Sequence, residues 1–173
     1  VDNASADGTP AMLHAQFPHV ELIEAGANIG FAAGNNLALR AIRQKAKGKR
    51  QKAPEYVLLL NPDTEPMDDA IPQLVHWMEA HPEAVAVGPQ LRYGDGSLQS
   101  SRRRFPTRLT LFWESTPFER LWPGNPWAQR YRMADTPDDT AQPVGWLVGA
   151  AILARTSAVQ AAGLLDERFF MYS

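Results

Sequence analysis

Leu58-Leu59-Leu60-Asn61-Pro62-Asp63-Thr64 is an apolar run that breaks directly into turn chemistry. With Tyr56 and Val57 before it, the run is uninterrupted, as expected of a strand covered on both faces. In open α/β sheets ligands sit outside the carboxyl ends of strands, so Asn61 and Asp63 fall where a site would be. Pro62 fixes φ and offers no amide hydrogen, which holds its two neighbours in one geometry. A hard cation such as Mg²⁺ or Mn²⁺ wants oxygen ligands and often takes only one or two carboxylates, the rest coming from phosphate and water. Asp63 is therefore the candidate metal ligand. Asn-Pro-Asp-Thr is equally good turn chemistry, and the motif alone leaves both readings open.

Outward from this strand the pattern alternates. Val20-Glu21-Leu22-Ile23 reads as a short strand, and residues 33–46 as a helix with Ala38, Ala41 and Ile42 on one face. Residues 68–81 read as a helix with Ile71, Leu74, Val75 and Met78 at i, i+3, i+4 and i+7, and residues 84–88 as the next strand. Strand–helix–strand alternation at this spacing predicts an α/β fold, a mostly parallel, Rossmann-like sheet flanked by helices. After Gln90 the character changes. Tyr93-Gly94-Asp95-Gly96 is a hairpin signal. Residues 105–142 hold most of the tryptophans and read as irregular, with one or two short helices. Residues 144–154 read as a buried strand, followed by a helix capped by Thr156 or Ser157 and ended by Gly163.

The 173 residues suffice for one domain with a core, and 45% hydrophobic with 21% charged residues is ordinary for a globular chain. Seventeen basic against nineteen acidic side chains give a net charge of −2, which argues against nucleic acid as a partner. The absence of cysteine excludes a disulfide scaffold, a thiolate zinc site and a cysteine nucleophile. The apolar runs fall far short of the ~20 residues that span a bilayer. Lys45 to Lys52 reads as a solvated helix end and loop. Val1-Asp2-Asn3 reads as a strand end passing into a turn, and Phe169 to Ser173 as an apolar stretch without a cap, so the expectation is a domain truncated at both ends.

Further stretches bear chemistry. Asp2-Asn3-Ala4-Ser5-Ala6-Asp7-Gly8-Thr9 follows a strand end, where carboxylate and amide groups can meet a base edge or ribose hydroxyls; these are also common loop residues. Asn28-Ile29-Gly30-Phe31-Ala32-Ala33-Gly34-Asn35-Asn36 opens a helix whose N-terminus offers amides to an anion. It lacks both the Gly-x-Gly-x-x-Gly spacing and the P-loop Lys-Ser/Thr, against a dehydrogenase or an ATPase; a glycine turn and helix cap explain it equally well. Arg102-Arg103-Arg104 concentrates guanidinium groups that suit a diphosphate, although three adjacent residues cannot all face one site. Trp146-Leu147-Val148-Gly149-Ala150 sets small residues beside an indole, which makes room for a sugar ring or, alternatively, for a closely packed helix. Asp166-Glu167-Arg168 is explained equally by a turn or by a catalytic acid.

The order of these stretches is more telling than any one of them. Asp-Asn-Ala-Ser-x-Asp-Gly-Thr, Asn-x-Gly-Phe-Ala-x-Gly-Asn-Asn, Leu-Leu-Asn-Pro-Asp-Thr, Val-Gly-Pro-Gln-Leu with Asp-Gly-Ser-Leu-Gln, Arg-Arg-Phe-Pro-Thr, Val-Gly-Ala-Ala and Phe-Met-Tyr together resemble family 2 glycosyltransferases, nearest the rhamnosyltransferase-like branch. The resemblance implies a GT-A fold, with residues 1–91 as the nucleotide-sugar-binding half and 92–173 as the acceptor-side half. It implies that Asp2, Asn3, Asn28, Gly30, Asn36 and Asn61 line the nucleotide pocket. Asp63 would hold Mg²⁺ or Mn²⁺, with Asn61 where the family's Asp-x-Asp has its first acid. Arg104, Trp146, Gly149 and Ala150 would border the donor sugar and acceptor.

The same resemblance puts the family's first strand and helix before Asp2. It puts the general base in a Glu-Asp pair after Ser173, so the 173 residues are expected to hold no catalytic base and to be inactive by themselves. The implied reaction is inverting transfer from a nucleotide diphosphate sugar, with dTDP-rhamnose indicated by the branch, to a saccharide or lipid-linked acceptor in polysaccharide synthesis. It would take place in the cytoplasm, at the inner face of the membrane, with any membrane association made through segments outside these residues. A non-catalytic nucleotide-sugar-binding domain, a sugar-phosphate nucleotidyltransferase and a purely structural interaction domain are the alternatives.

Overall fold

The run at residues 56–60 is a strand, β1 (Tyr56–Leu60), in the computed structural model, which describes residues 1–48 and 52–170. Lys49, Arg50 and Gln51 of the basic stretch, and Met171 to Ser173 of the terminal aromatic motif, lie outside the described residues. Two compact units are present, Val1–Val57 with Ala154–Ser173, and Leu58–Leu153. The division falls within two strands, β1 and β7 (Ala151–Arg155).

β1, β7 and β2 (Ala86–Val87) form a three-stranded sheet in the order β1–β7–β2. The Thr156 amide donates to the Glu55 carbonyl and the Asn61 amide to the Ala150 carbonyl, both at 2.9 Å. Numbers rise on one strand as they fall on the other, so β1 and β7 are antiparallel. A parallel pairing joins Asp2 to Glu24 as an isolated bridge. The α/β class stands, but these pairings do not display the mostly parallel sheet that the alternation predicts. Residues 20–23 form no strand; Gly26, at φ +73°, turns the chain just past the bridge.

In the first unit, α1 (Thr9–Gln16) buries none of its residues, so no apolar period announces it. The core packs Leu39 of α2 (Phe31–Gly48) with Val57 and Ala154, and adds Ile42, Val159 and Leu164. α7 (Thr156–Ala162) ends as predicted on Gly163, left-handed at φ +89°. Its start differs from expectation: the cap position is Arg155, with no side-chain cap bond, and the Thr156 hydroxyl is buried without a partner.

In the second unit, α3 (Ala70–Ala80) buries Met78 completely while Ile71, on the same predicted stripe, stays exposed. β3 (Leu91–Arg92) and β4 (Leu98–Gln99) form the expected hairpin; of its two glycines only Gly96 takes positive φ. The stretch read as irregular holds three short helices, α4 (Arg108–Ser115), α5 (Phe118–Leu121) and α6 (Pro126–Tyr131). Thr107 caps α4, and Asn125, wholly buried, caps α6 by accepting from the Ala128 amide at 2.8 Å. The single strand expected over 144–154 is two: β6 (Trp146–Leu147), paired antiparallel with β5 (Arg102–Arg103), and then β7 after a turn at Gly149 and Ala150.

Candidate functional site

In the first unit the Asp2 backbone is fixed by its bridge, donating to Ile23 and accepting from Ala25. Its carboxylate, 8% exposed, accepts from the amides of Ala4 and Ser5, each at 3.0 Å through the same oxygen. The Ser5 side chain, then the Ser5 and Ala4 amides, hold this carboxyl below the usual aspartate range. Asp2 thus organises its own loop from a buried position. Asn3 is more fully engaged: it donates to the Gly30 carbonyl at 3.1 Å and accepts from the Ile29 amide at 3.4 Å, clamping the 28–30 loop. Asn28 is exposed and accepts from the Gly30 amide at 3.1 Å, which leaves its NH₂ group outward.

Gly30 is left-handed, at φ +84°, and a Cβ there would lie 2.5 Å from the Phe170 carbonyl oxygen. The first helical amide, Phe31 N–H, donates to that same oxygen at 2.9 Å. Of the amides that the helix N-terminus is expected to offer an anion, the one at Phe31 is taken by the chain itself.

Asn36 is a correction. It is 1% exposed, and its amide donates to the Leu165 carbonyl and the Glu167 carboxylate while accepting from the Leu165 amide at 3.0 Å. Buried, with both amide hydrogens and its oxygen engaged within the chain, Asn36 ties α2 to the 165–167 segment. Glu167 also accepts from Arg40 at 2.5 Å, and Asn36 with Arg40 pulls its carboxyl below the ordinary range. Asp166 is paired with Arg168, which lowers its pKa to about 2. The turn reading of 166–168 is the one realised.

In the second unit, Asn61 and Ala150 lie side by side through the bond between their backbones. The Asn61 carbonyl accepts from both the amide and the hydroxyl of Thr64, so residues 61–64 form a closed turn. That turn presents Asp63, whose carboxylate is exposed and has no hydrogen-bond or ion-pair partner among the described residues. The turn therefore displays an open carboxylate. Among the described residues no three acidic or imidazole side chains gather as a metal cage. One open carboxylate fits Mg²⁺ or Mn²⁺ held largely by a substrate diphosphate and water, and does not fit an all-protein site.

The three arginines separate by strand alternation. Arg102 pairs with Asp138, and Arg104 donates to both oxygens of Asp135 at 2.7 and 2.9 Å, which depresses the Asp135 carboxyl. Arg104, expected at the donor and acceptor pocket, is thus already neutralised. Arg103 points to the other face, with its guanidinium 5.7 Å from the Tyr131 ring and 6.0 Å from that of Trp146. It donates only to neutral oxygens of Ser100 and Arg102 and has no carboxylate partner among the described residues. The sequence reading puts Arg104 forward among the three, although the period of two in an extended strand separates Arg103 from its neighbours. Trp146, partly exposed, stands directly across the ladder from it.

With this geometry in view, comparison with known proteins settles the family. Residues 1–144 match the profile of Glycosyl transferase family 2, and the chain belongs to that family. It is 34% identical over 174 residues to the N-acetylglucosaminyl-diphospho-decaprenol L-rhamnosyltransferase of two strains of Mycobacterium tuberculosis. That match covers 99% of this chain and 55% of the relative, so the chain spans about half the length of the curated relatives it matches. No solved structure matches.

Proposed function

We propose that the protein is an inverting glycosyltransferase that moves a rhamnosyl unit from dTDP-rhamnose to a lipid-linked saccharide acceptor in cell-surface polysaccharide synthesis, acting at the cytoplasmic face of the membrane. The observation that carries this reading is the open Asp63 carboxylate, displayed by the Asn-Pro-Asp turn at the end of β1 in a family 2 chain. The rhamnosyltransferase relative, whose printed acceptor is a diphospho-decaprenol sugar, supports the choice of sugar and acceptor. Family membership favours sugar transfer over the nucleotidyltransferase alternative.

In this reading residues 1–91 contribute nucleotide recognition, with the Asp2 carboxylate and the Asn28 side chain meeting base or ribose. Asp63 holds the divalent cation, which when bound offsets the charge that grows on the departing diphosphate. Residues 92–173 contribute the acceptor side. Trp146 gives the sugar ring an apolar wall, Gly149 and Ala150 leave it room, and the Arg103 guanidinium meets a phosphate oxygen. A carboxylate base takes the proton of the acceptor hydroxyl, since a neutral sugar hydroxyl is a weak nucleophile. The hydroxyl oxygen then bonds to the anomeric carbon as the bond to the diphosphate breaks, inverting configuration.

The test is transfer from dTDP-rhamnose to a polyprenyl-diphospho-N-acetylglucosamine acceptor by the protein at its native length. Turnover is expected to require Mg²⁺ or Mn²⁺ and to fall by roughly a hundredfold or more in Asp63→Ala. Metal-independent turnover, or an Asp63→Ala variant as active as wild type, contradicts the assignment.

A further inference from the structure

Residues 105–132 carry an exposed aromatic surface to which the proposed transfer assigns no residue. Phe112 stacks on Phe118 at 5.9 Å and meets Trp113 edge-on at 5.7 Å. Trp113 in turn lies flat against Trp127 at 6.0 Å and edge-on to Trp122 at 5.6 Å. The five rings form one continuous patch over α4, α5 and α6. Much of it faces water: Phe112, Phe118 and Trp122 are each about half exposed, and Leu121 between them is 80% exposed. The platform below is well made, with Thr110, Asn125 and Ala128 buried and both flanking helices capped. Continuous exposed apolar surface on a packed support marks an interaction site.

Its chemistry selects the partner. Three of the five tryptophans of the chain lie within residues 113–127, and indole favours the boundary between hydrocarbon and water. Residues 105–132 hold four arginines and two glutamates, a net +2 in a chain of net −2. Arg108 and Arg120 are exposed with no salt-bridge partner among the described residues, while Glu114 is matched by Arg132 at 2.9 Å. No helix among the described residues is long and apolar enough to cross a membrane.

We propose that this face docks on an anionic phospholipid bilayer, with the indoles at headgroup depth, Leu121 and the phenylalanines below them, and Arg108 and Arg120 on lipid phosphates. The proposal rests on the reading of a lipid-linked acceptor, which such a surface would present. The test is co-sedimentation with vesicles of phosphatidylcholine alone and of phosphatidylcholine with phosphatidylglycerol. Tryptophan emission is followed alongside, and nucleotide diphosphate binding is measured by calorimetry on the same samples.

The protein is expected to pellet with the anionic vesicles with a blue-shifted emission. Leu121→Asp with Trp122→Ser should lower partitioning roughly tenfold or more, and Arg108→Gln with Arg120→Gln should remove the preference for anionic lipid. Both double variants should bind nucleotide as wild type does. Failure to pellet with anionic vesicles, or unchanged partitioning in the Leu121 and Trp122 variant, overturns the proposal. So does a concentration-dependent dimer abolished by that variant, which would make a second copy the occupant. Vesicle binding without nucleotide binding would count against sugar transfer and leave the docking face standing.

Discussion

Asn36 and Asn61 are the same residue type in opposite settings, Asn61 bonded through its backbone and Asn36 through its side chain. Asn61 opens an exposed turn; Asn36 spends both ends of its amide inside the protein. Replacing Asn36 with Ala strands the Leu165 amide and carbonyl, and the variant should lose about 2 kcal/mol or more in urea unfolding while its folded fraction binds nucleotide unchanged. Weakened binding at full stability would return Asn36 to the site. The role was legible in spacing: Ala32, Asn36 and Leu39 fall at i, i+4 and i+7, and all three are buried. A motif read as glycine-rich and polar hid that period. Arg103 and Arg104 make a second contrast. On the proposed function, Arg103→Gln should raise KM for the donor or acceptor several-fold by removing a charge proposed to meet phosphate, whereas Arg104→Gln should chiefly free Asp135; equal effects on KM would dissolve the distinction. The carboxyls of Glu167, Asp166 and Asp135 are all held low by cationic or amide partners. Because the unfolded chain binds protons more readily at these positions, the stability they contribute is full above about pH 5 and declines as pH falls through the lowered folded-state values, about 2 for Asp166. Thermal melts from pH 6 downward should show that decline, with a smaller slope in Glu167→Gln.

At the scale of elements, residues 144–155 show what periodicity sees and what it misses. The apolar content predicted one strand. The chain makes two, because a turn at Gly149 and Ala150 transfers it from pairing with β5 to pairing with β1, and composition carries no record of which neighbour a strand will find. Gly145 is the tight point before β6: a Cβ there would lie 2.6 Å from the Phe105 amide nitrogen and 2.9 Å from the Arg104 carbonyl carbon, backbone atoms that cannot swing away. Gly145→Ala should therefore destabilise by roughly 1–3 kcal/mol and disturb the Arg103 and Trp146 pairing, while Gly94→Ala in the hairpin, with open space around it, should be close to neutral by the same denaturation measurement. The left-handed cap at Gly163 and the hairpin at Gly96 were readable, since positive φ leaves a clear residue signature. The helices at 108–131 were only dimly so, because each is too short to repeat a buried face.

For the whole molecule, the family could be read from the order of the motifs, and the profile match over residues 1–144 agrees. The sheet could not be read as well, since alternation of strand and helix specifies class and leaves strand direction to long-range pairing. The function proposed for the chain depends on one carboxylate standing open at the end of β1, ready for a cation that arrives with its diphosphate. The most direct measurement is calorimetric titration of dTDP into the protein with Mn²⁺ and without it, repeated on Asp63→Ala. The account predicts saturable binding that Mn²⁺ strengthens in wild type and does not strengthen in the variant. Binding indifferent to Mn²⁺, or equally strengthened when residue 63 has no carboxylate, would contradict it.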